Sequence, residues 1–179
     1  MDLTTDVLYG DGQENMAGIK KIAFLAFVSS FTTISTPVAS PSDYASRVTI
    51  ATAHVLASTK KVIQLYVMYD KSGIESPLQG MRKGKSFKPK LTLFYPGTDA
   101  ACLGLIGLIK NSDLLTWAQP QDGTGLYQVG TEGLPASLTA GSVKTGTAPD
   151  GEKGITFEIE APSHEAFYVY TASLPTVGA

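Results

Sequence analysis

Apolar and polar residues alternate along several short stretches of the chain, and this period of two predicts β-strands. The stretch from 85 to 95 shows it most clearly. One face would carry Lys85, Phe87, Pro89, Leu91, Leu93 and Tyr95, and the other Ser86, Lys88, Lys90 and Thr92. The pattern predicts one half-buried strand, which Pro96-Gly97 ends.

An apolar helix is predicted directly after this turn, over residues 98–109. Thr98 is expected as the N-cap, Asp99 in the first turn, and Lys110 at the end. Because apolar residues cover more than one face, we expect the helix to be buried on most sides, against a sheet or a neighbouring subunit. Gly104 and Gly107 each cost a helix about 1 kcal/mol relative to Ala, so they are either tolerated or allow close backbone approach.

Further strands are predicted from apolar, β-branched runs bounded by turn residues. They cover residues 20–29, 47–56, 62–69, 114–119, 126–130, a segment near 142–144, 155–160 and 166–171. A short helix over 52–59 is the alternative to the second of these strands. The polar excursion at 70–84 is of a length that is usually functional or interfacial. The expected fold is mainly β: a β-sandwich or partly closed barrel with one flanking helix, formed by a single domain over 19–179 after an N-terminal arm at 1–18.

Composition narrows the function classes. A net charge of −2 argues against a protein that wraps nucleic acid, although it leaves loose contact with DNA open. Charged residues make up only 17% of the 179 residues, a low share that favours a protein covered in part by copies or partners. Cys102 has no intrachain partner and is predicted to be a buried hydrophobe. Residues 20–40 imitate a secretory signal, but the serines and threonines within them favour a strand.

Residues that suggest catalysis or ligand binding have simpler structural explanations. Gly84-Lys85-Ser86 ends like a phosphate-binding loop, but the first glycine of that motif is missing and Pro89 forbids the helix that should follow. His54 and His164 are the two histidines, too far apart in sequence to suggest a metal cluster. An all-oxygen calcium site formed by Asp122 and its neighbours is an alternative at this point, although the spacing of an EF-hand loop is absent. We therefore predict no catalytic residues, no cofactor and no metal.

A basic segment interrupts this low-charge chain. Its five cations are Arg82, Lys83, Lys85, Lys88 and Lys90. They are typical either of a solvated edge strand or of a charge-complementary contact, with acidic residues of a neighbouring copy or with phosphate. Glu158 and Glu160 form an acidic face on a different predicted strand.

The order of these features resembles the tail tube (major tail) proteins of long-tailed bacteriophages, particularly forms found in phages and prophages of the Bacteroidetes. The similar segments lie between residues 62 and 171. They are VIQLYVMYD, SPLQG, KGKSFKPKLTLFYPGT and TGTAPDGEKGITFEIEAPSHEAFYVYT.

The resemblance implies a structural protein of the virion and not an enzyme. Copies would form hexameric rings that stack, through loops and arms, into a tube assembled in the host cytoplasm. Its partners would be further copies, other tail proteins and viral DNA passing without specific contact, with no membrane.

Passage of DNA suggests where the charges lie, because a channel wall must not grip a polyanion. We expect Glu158 and Glu160 to line the lumen. The candidates for contacts between subunits are Arg82, Lys83, Lys85, Lys88, Lys90, Gly104 and Gly107.

Three alternatives remain open at this point. The first is another virion structural protein, such as a tail terminator, a head–tail connector or a capsid decoration protein. The second is a secreted β-sandwich that binds glycans through exposed Trp117, Tyr127 and Tyr168. A hydrolase on a β scaffold is the third, and the sparse histidines argue against it.

Overall fold

The computed structural model describes residues 6–7, 15–148 and 151–175. These residues form fourteen short β-strands and two α-helices. In chain order they are β1 (Ile19–Phe27), β2 (Phe31–Thr33), α1 (Tyr44–Val48), β3 (Thr49–Ile50), β4 (Val55–Leu56), β5 (Ile63–Tyr66), β6 (Gly73–Glu75), β7 (Leu78–Gln79), β8 (Ser86–Phe87), β9 (Lys90–Tyr95), α2 (Ala100–Ile109), β10 (Leu114–Pro120), β11 (Leu126–Val129), β12 (Ser137–Lys144), β13 (Gly154–Glu160) and β14 (Tyr168–Tyr170). A 3₁₀ turn, Val28–Ser30, separates β1 from β2.

Two sheets form the body of the fold. One has six strands in the order β3-β14-β11-β10-β1-β5, and the other has four in the order β12-β13-β9-β6. All pairings are antiparallel except that of β14 with β3. Two short ribbons, β2-β4 and β7-β8, are added to this body. The described residues form no closed barrel, so the predicted mainly β, sandwich-like fold is confirmed, with two helices where one was expected.

The main core lies between the two sheets. Alternate residues of β9 and β13 point into it, and the register places Leu93 opposite Phe157 and Leu91 opposite Ile159. Leu25 and Leu114 enter from the six-stranded sheet. All six side chains are essentially inaccessible to solvent. Period-two alternation therefore supplies one apolar face to each sheet.

A second core covers the opposite face of the six-stranded sheet. Leu115 and Trp117 of β10 point into it, next to Tyr170 of β14. The segment at 28–57, with β2, β3 and β4, closes it from outside. Because β10 is buried on both faces, five of its seven residues are apolar.

Two predicted strands are wrong in their extent. The strand expected at 85–95 is split: β8 pairs with β7, while β9 pairs with β13 and β6. Pro89 lies at the break, since proline cannot donate to a sheet. The strand expected at 47–56 is instead α1, β3 and β4. Asp43 and Ser46 form a capping box that starts the short helix.

Other expectations are met more closely. The strands predicted at 20–29, 114–119 and 155–160 correspond to β1, β10 and β13. The excursion at 70–84 contains two short strands, β6 and β7, and is therefore not a simple loop. Most of the predicted arm at 1–18 lies outside the described residues, and the division into arm and single domain stays a prediction.

Candidate assembly surface

Helix α2 begins one residue later than predicted. Asp99, and not Thr98, is the N-cap, and its Oδ2 accepts a hydrogen bond of 3.3 Å from the backbone N–H of Cys102. A hydrogen bond from Tyr95 and further bonds from backbone N–H groups lower the pKa of Asp99. Aspartate is favoured over threonine as the N-cap because its carboxylate accepts hydrogen bonds from the first turn and also faces the positive end of the helix dipole.

The two sides of α2 are both apolar, but only one is buried. Cys102 and Ile109 are enclosed in the main core, with Leu105 and Ile106 partly buried against it. The opposite side, which we call the outer face of α2, is exposed in the subunit. It consists of Ala100, Leu103, Gly104, Gly107 and Leu108. Its two leucines are 41% and 61% exposed, so the subunit by itself buries one side of the helix, and burial of the other side against a neighbouring subunit stays a prediction.

Gly104 and Gly107 lie on this outer face. A Cβ added at either position would meet no atom within 4 Å. Packing within the described part of the subunit therefore does not require either glycine. Both leave room for another backbone to approach the helix.

Strand β12 lies beside α2 and forms one edge of the four-stranded sheet. Among the described strands it pairs with β13 alone, and seven of its eight residues are exposed. The helix packs against its middle, where a Cβ on Gly141 would lie 3.0 Å from Cδ1 of Ile106. Val143 adds an apolar side chain that is 47% exposed. The outer face of α2 and the edge of β12 thus form one surface, which we call the α2/β12 surface.

The predicted acidic and basic candidates share one face of the four-stranded sheet. Nζ of Lys90 lies 3.0 Å from Oε2 of Glu158, and Lys88 forms an ion pair with Glu160. The hydrogen bond to Glu158 raises the pKa of Lys90, and the field of Glu75 adds to the effect. Separating these lysines and glutamates onto two different surfaces is therefore wrong, because β9 and β13 are neighbours. The role of the shared face stays a prediction.

The other three cations lie elsewhere. Arg82, Lys83 and Lys85 are exposed at the tip of the β7-β8 ribbon. Gly84 lies in this tip and Ser86 begins β8, so the stretch resembling a phosphate loop enters a strand and not a helix.

His54 is buried in the second core. Its Nδ1 accepts a hydrogen bond from the backbone N–H of Ser35, and its Nε2 lies 2.9 Å from Oε1 of Gln128. The indole N–H of Trp117 donates to the same oxygen at 2.9 Å. The ring stacks on Tyr170 with centroids 4.6 Å apart. Sequence reasoning missed this network, because no local pattern distinguishes a buried histidine from an exposed one.

This burial changes one alternative reading. Trp117 is fully inaccessible, so the expectation that it is an exposed aromatic for glycan binding is wrong. Tyr127 and Tyr168 are half-buried, and Tyr127 stacks on Phe167 at 5.0 Å. The largest of the three aromatic side chains predicted to bind a glycan is therefore not available at the surface.

The remaining chemistry of the subunit is modest. Burial raises the pKa of Cys102 to about 11, so its thiol is protonated and unreactive at neutral pH. Glu165, next to His164, is engaged by Arg47 at 2.6 Å. A cleft of about 500 Å³ between β5 and α2 contains one carboxylate, Asp99, which already caps the helix.

The described residues contain no group of three His, Cys, Asp or Glu side chains close enough to bind one metal ion. None of their helices combines the length and hydropathy needed to cross a membrane.

The chain was compared with protein-family models, with curated proteins and with solved structures, and none of the three comparisons found a match.

Proposed function

We propose that this protein is the subunit of the tail tube of a long-tailed bacteriophage. Copies assemble into hexameric rings, and the rings stack into a tube that joins other tail proteins in the virion and lets viral DNA pass. The α2/β12 surface is the observation that carries the self-assembly in this proposal. The tail tube identity itself rests on the resemblance of residues 62–171.

The α2/β12 surface supports self-assembly because the outer face of α2 is apolar and uncharged and the edge of β12 is open. Full burial of an exposed leucine side chain contributes about 1.5–3 kcal/mol. Leu103 and Leu108 are partly exposed in the subunit, so burying the rest of each side chain between copies would contribute part of this free energy. The glycines between them permit close approach of a second backbone. The free edge of β12 offers hydrogen-bonding groups to another strand.

The two edges of the four-stranded sheet favour rings over pairs. Its edge strands, β12 and β6, differ in length and sequence. Contact between β12 of one copy and the β6 edge of the next would be head-to-tail, and a head-to-tail contact closes into a ring when the rotation permits. The ion pairs of Lys88 and Lys90 make the outer face of this sheet nearly neutral, as a wall past which DNA slides should be.

Assembly of the purified protein tests the proposal. We expect native mass measurement to give multiples of the 18.9 kDa subunit, and negative-stain images to show rings or tubes. Leu108→Glu places a charge on the outer face of α2 and should leave folded monomers with an unchanged circular dichroism spectrum. Val38→Glu, at an apolar residue that is 59% exposed on a distant loop, is the matched control and should assemble normally.

Two results would overturn this proposal. They are a wild-type protein that stays monomeric at high concentration, and a Leu108→Glu variant that assembles like the wild type. Rings that never stack would instead favour a terminator or connector.

A further inference from the structure

The β7-β8 ribbon projects from the body of the fold. Phe87 and Ser163 exchange two backbone hydrogen bonds of 2.9 Å at its base, and the N–H of Lys88 donates to the carbonyl of Pro77 at 3.1 Å. Beyond this base, all residues from 80 to 85 are exposed. We call these six residues the ribbon tip.

The ribbon tip has a defined backbone conformation. Gly80 has φ +98°, and a Cβ there would lie 2.4 Å from the carbonyl oxygen of Gly84. Lys83 has φ +68°, which is unfavourable for a residue with a side chain. The N–H of Gly84 closes the turn by donating to the carbonyl of Met81 at 2.9 Å. The tip therefore presents its side chains from a turn in which positions 80 and 83 both have positive φ.

The side chains that the tip presents are cationic and apolar. Arg82, Lys83 and Lys85 surround Met81, which is 85% exposed. The chain has no acidic residue between Glu75 and Asp99. Within the described residues, no ion pair involves any of these three cations.

We propose that the ribbon tip binds the phosphate backbone of double-stranded nucleic acid. A two-stranded ribbon is narrow enough to enter a groove of the duplex. The three cations then contact phosphates on either side, and Met81 packs against sugar or base edges inside the groove, as apolar tip residues do in groove-binding proteins. This contact is separate from the proposed tail tube function, because a tip that grips DNA cannot line the channel through which DNA slides.

The other possible partners fit the tip less well. A second copy would need an acidic patch, and four of the described carboxylates, those of Glu152, Glu158, Glu160 and Glu165, are already paired with cations of their own subunit. A membrane surface would need several apolar or aromatic anchors, and the tip has one methionine.

Binding to a labelled duplex of about 20 base pairs, followed by fluorescence anisotropy between 25 and 200 mM NaCl, tests the proposal. The test variant is Arg82→Gln with Lys83→Asn and Lys85→Gln, in which Asn tolerates the left-handed backbone. Its control is Lys60→Gln with Lys61→Gln and Lys153→Gln, which removes the same charge from exposed positions elsewhere.

We expect the test variant to lose at least about tenfold in affinity at low salt, and the control to stay within about twofold. The slope of log K against log salt should become less negative by about 2.7 in the test variant, because three phosphate contacts are lost. Met81→Ala should weaken binding about fivefold without changing the slope.

Several outcomes would overturn the proposal. The wild type fails to bind at 25 mM NaCl, or the test and control variants lose equally, or Met81→Ala binds normally. Tighter binding to vesicles of phosphatidylserine would assign the tip to membranes instead. Negative-stain images of the test variant distinguish this inference from the tail tube proposal. A variant that forms tubes but does not bind DNA supports the inference. A variant that no longer forms tubes would assign the tip to contacts between copies.

Discussion

At the scale of the residue, His54 connects several parts of the second core through its hydrogen bonds. Its Nδ1 accepts from Ser35, so Nε2 carries the proton and donates to Gln128. The backbone N–H of His54 also donates to the hydroxyl of Tyr170 at 3.1 Å. Only the neutral ring fits this set of partners, because a proton on Nδ1 would face the N–H of Ser35. The histidine thus connects the covering segment at 28–57 to the six-stranded sheet.

Stability should therefore fall in mild acid. Burial lowers the pKa of His54, so between the unfolded value of about 6.5 and the folded value only the unfolded chain binds the proton. The contribution of His54 is complete above about pH 6.5 and is lost as pH falls towards the folded pKa, at up to about 1.4 kcal/mol per pH unit. Urea unfolding followed by Trp117 fluorescence from pH 7.5 to 5 measures it.

The matched variant is His54→Gln, which keeps a donor and an acceptor but does not titrate. Its free energy of unfolding should depend less on pH over the same range. Equal slopes for the two proteins would show that other groups cause the acid sensitivity.

Helix α2 illustrates what a pattern determines at the level of an element. Its length and position follow from the Pro96-Gly97 turn and the apolar run, both local features. Which side faces the core does not, because both sides are apolar and only the packing against β12 and the main core distinguishes them.

The glycines of α2 give a prediction at this level. Gly104→Ala should raise the free energy of unfolding of the subunit by about 1 kcal/mol, since the added methyl group enters open space and alanine favours helix. Urea unfolding in the Leu108→Glu background measures subunit stability without assembly. Gly154→Ala is the contrasting variant and should be destabilising, because its Cβ would lie 2.6 Å from the carbonyl oxygen of Tyr95.

The same position separates folding from assembly. In the otherwise unaltered chain, Gly104→Leu should stay folded but lose rings and tubes, because a leucine would keep a second backbone away from the helix. Normal tubes would show that Gly104 is merely tolerated, and a less stable Gly104→Ala subunit would contradict the open space seen beside it.

At the scale of the molecule, the six-stranded sheet is covered on both faces, whereas the α2/β12 surface is left open. If copies complete this surface, folding and association are linked, and the apparent melting temperature should rise with protein concentration. Differential scanning calorimetry from about 0.1 to 10 mg/ml tests this, with Leu108→Glu as a control that should melt at one temperature throughout. A wild type without concentration dependence would show that the subunit gains no stability from its copies.

Local sequence determined the mainly β class, strands such as β1 and β13, the turn at Pro96-Gly97 and the helix that follows. These depend on periods of 2 and 3.6 residues, which a short stretch carries by itself. Only the tertiary structure decided that Lys90 lies beside Glu158, that Trp117 and His54 are buried, and that one side of α2 is left uncovered. Each of these depends on which distant strands pair, and pairing is settled by packing over the whole chain, which no short window of sequence contains.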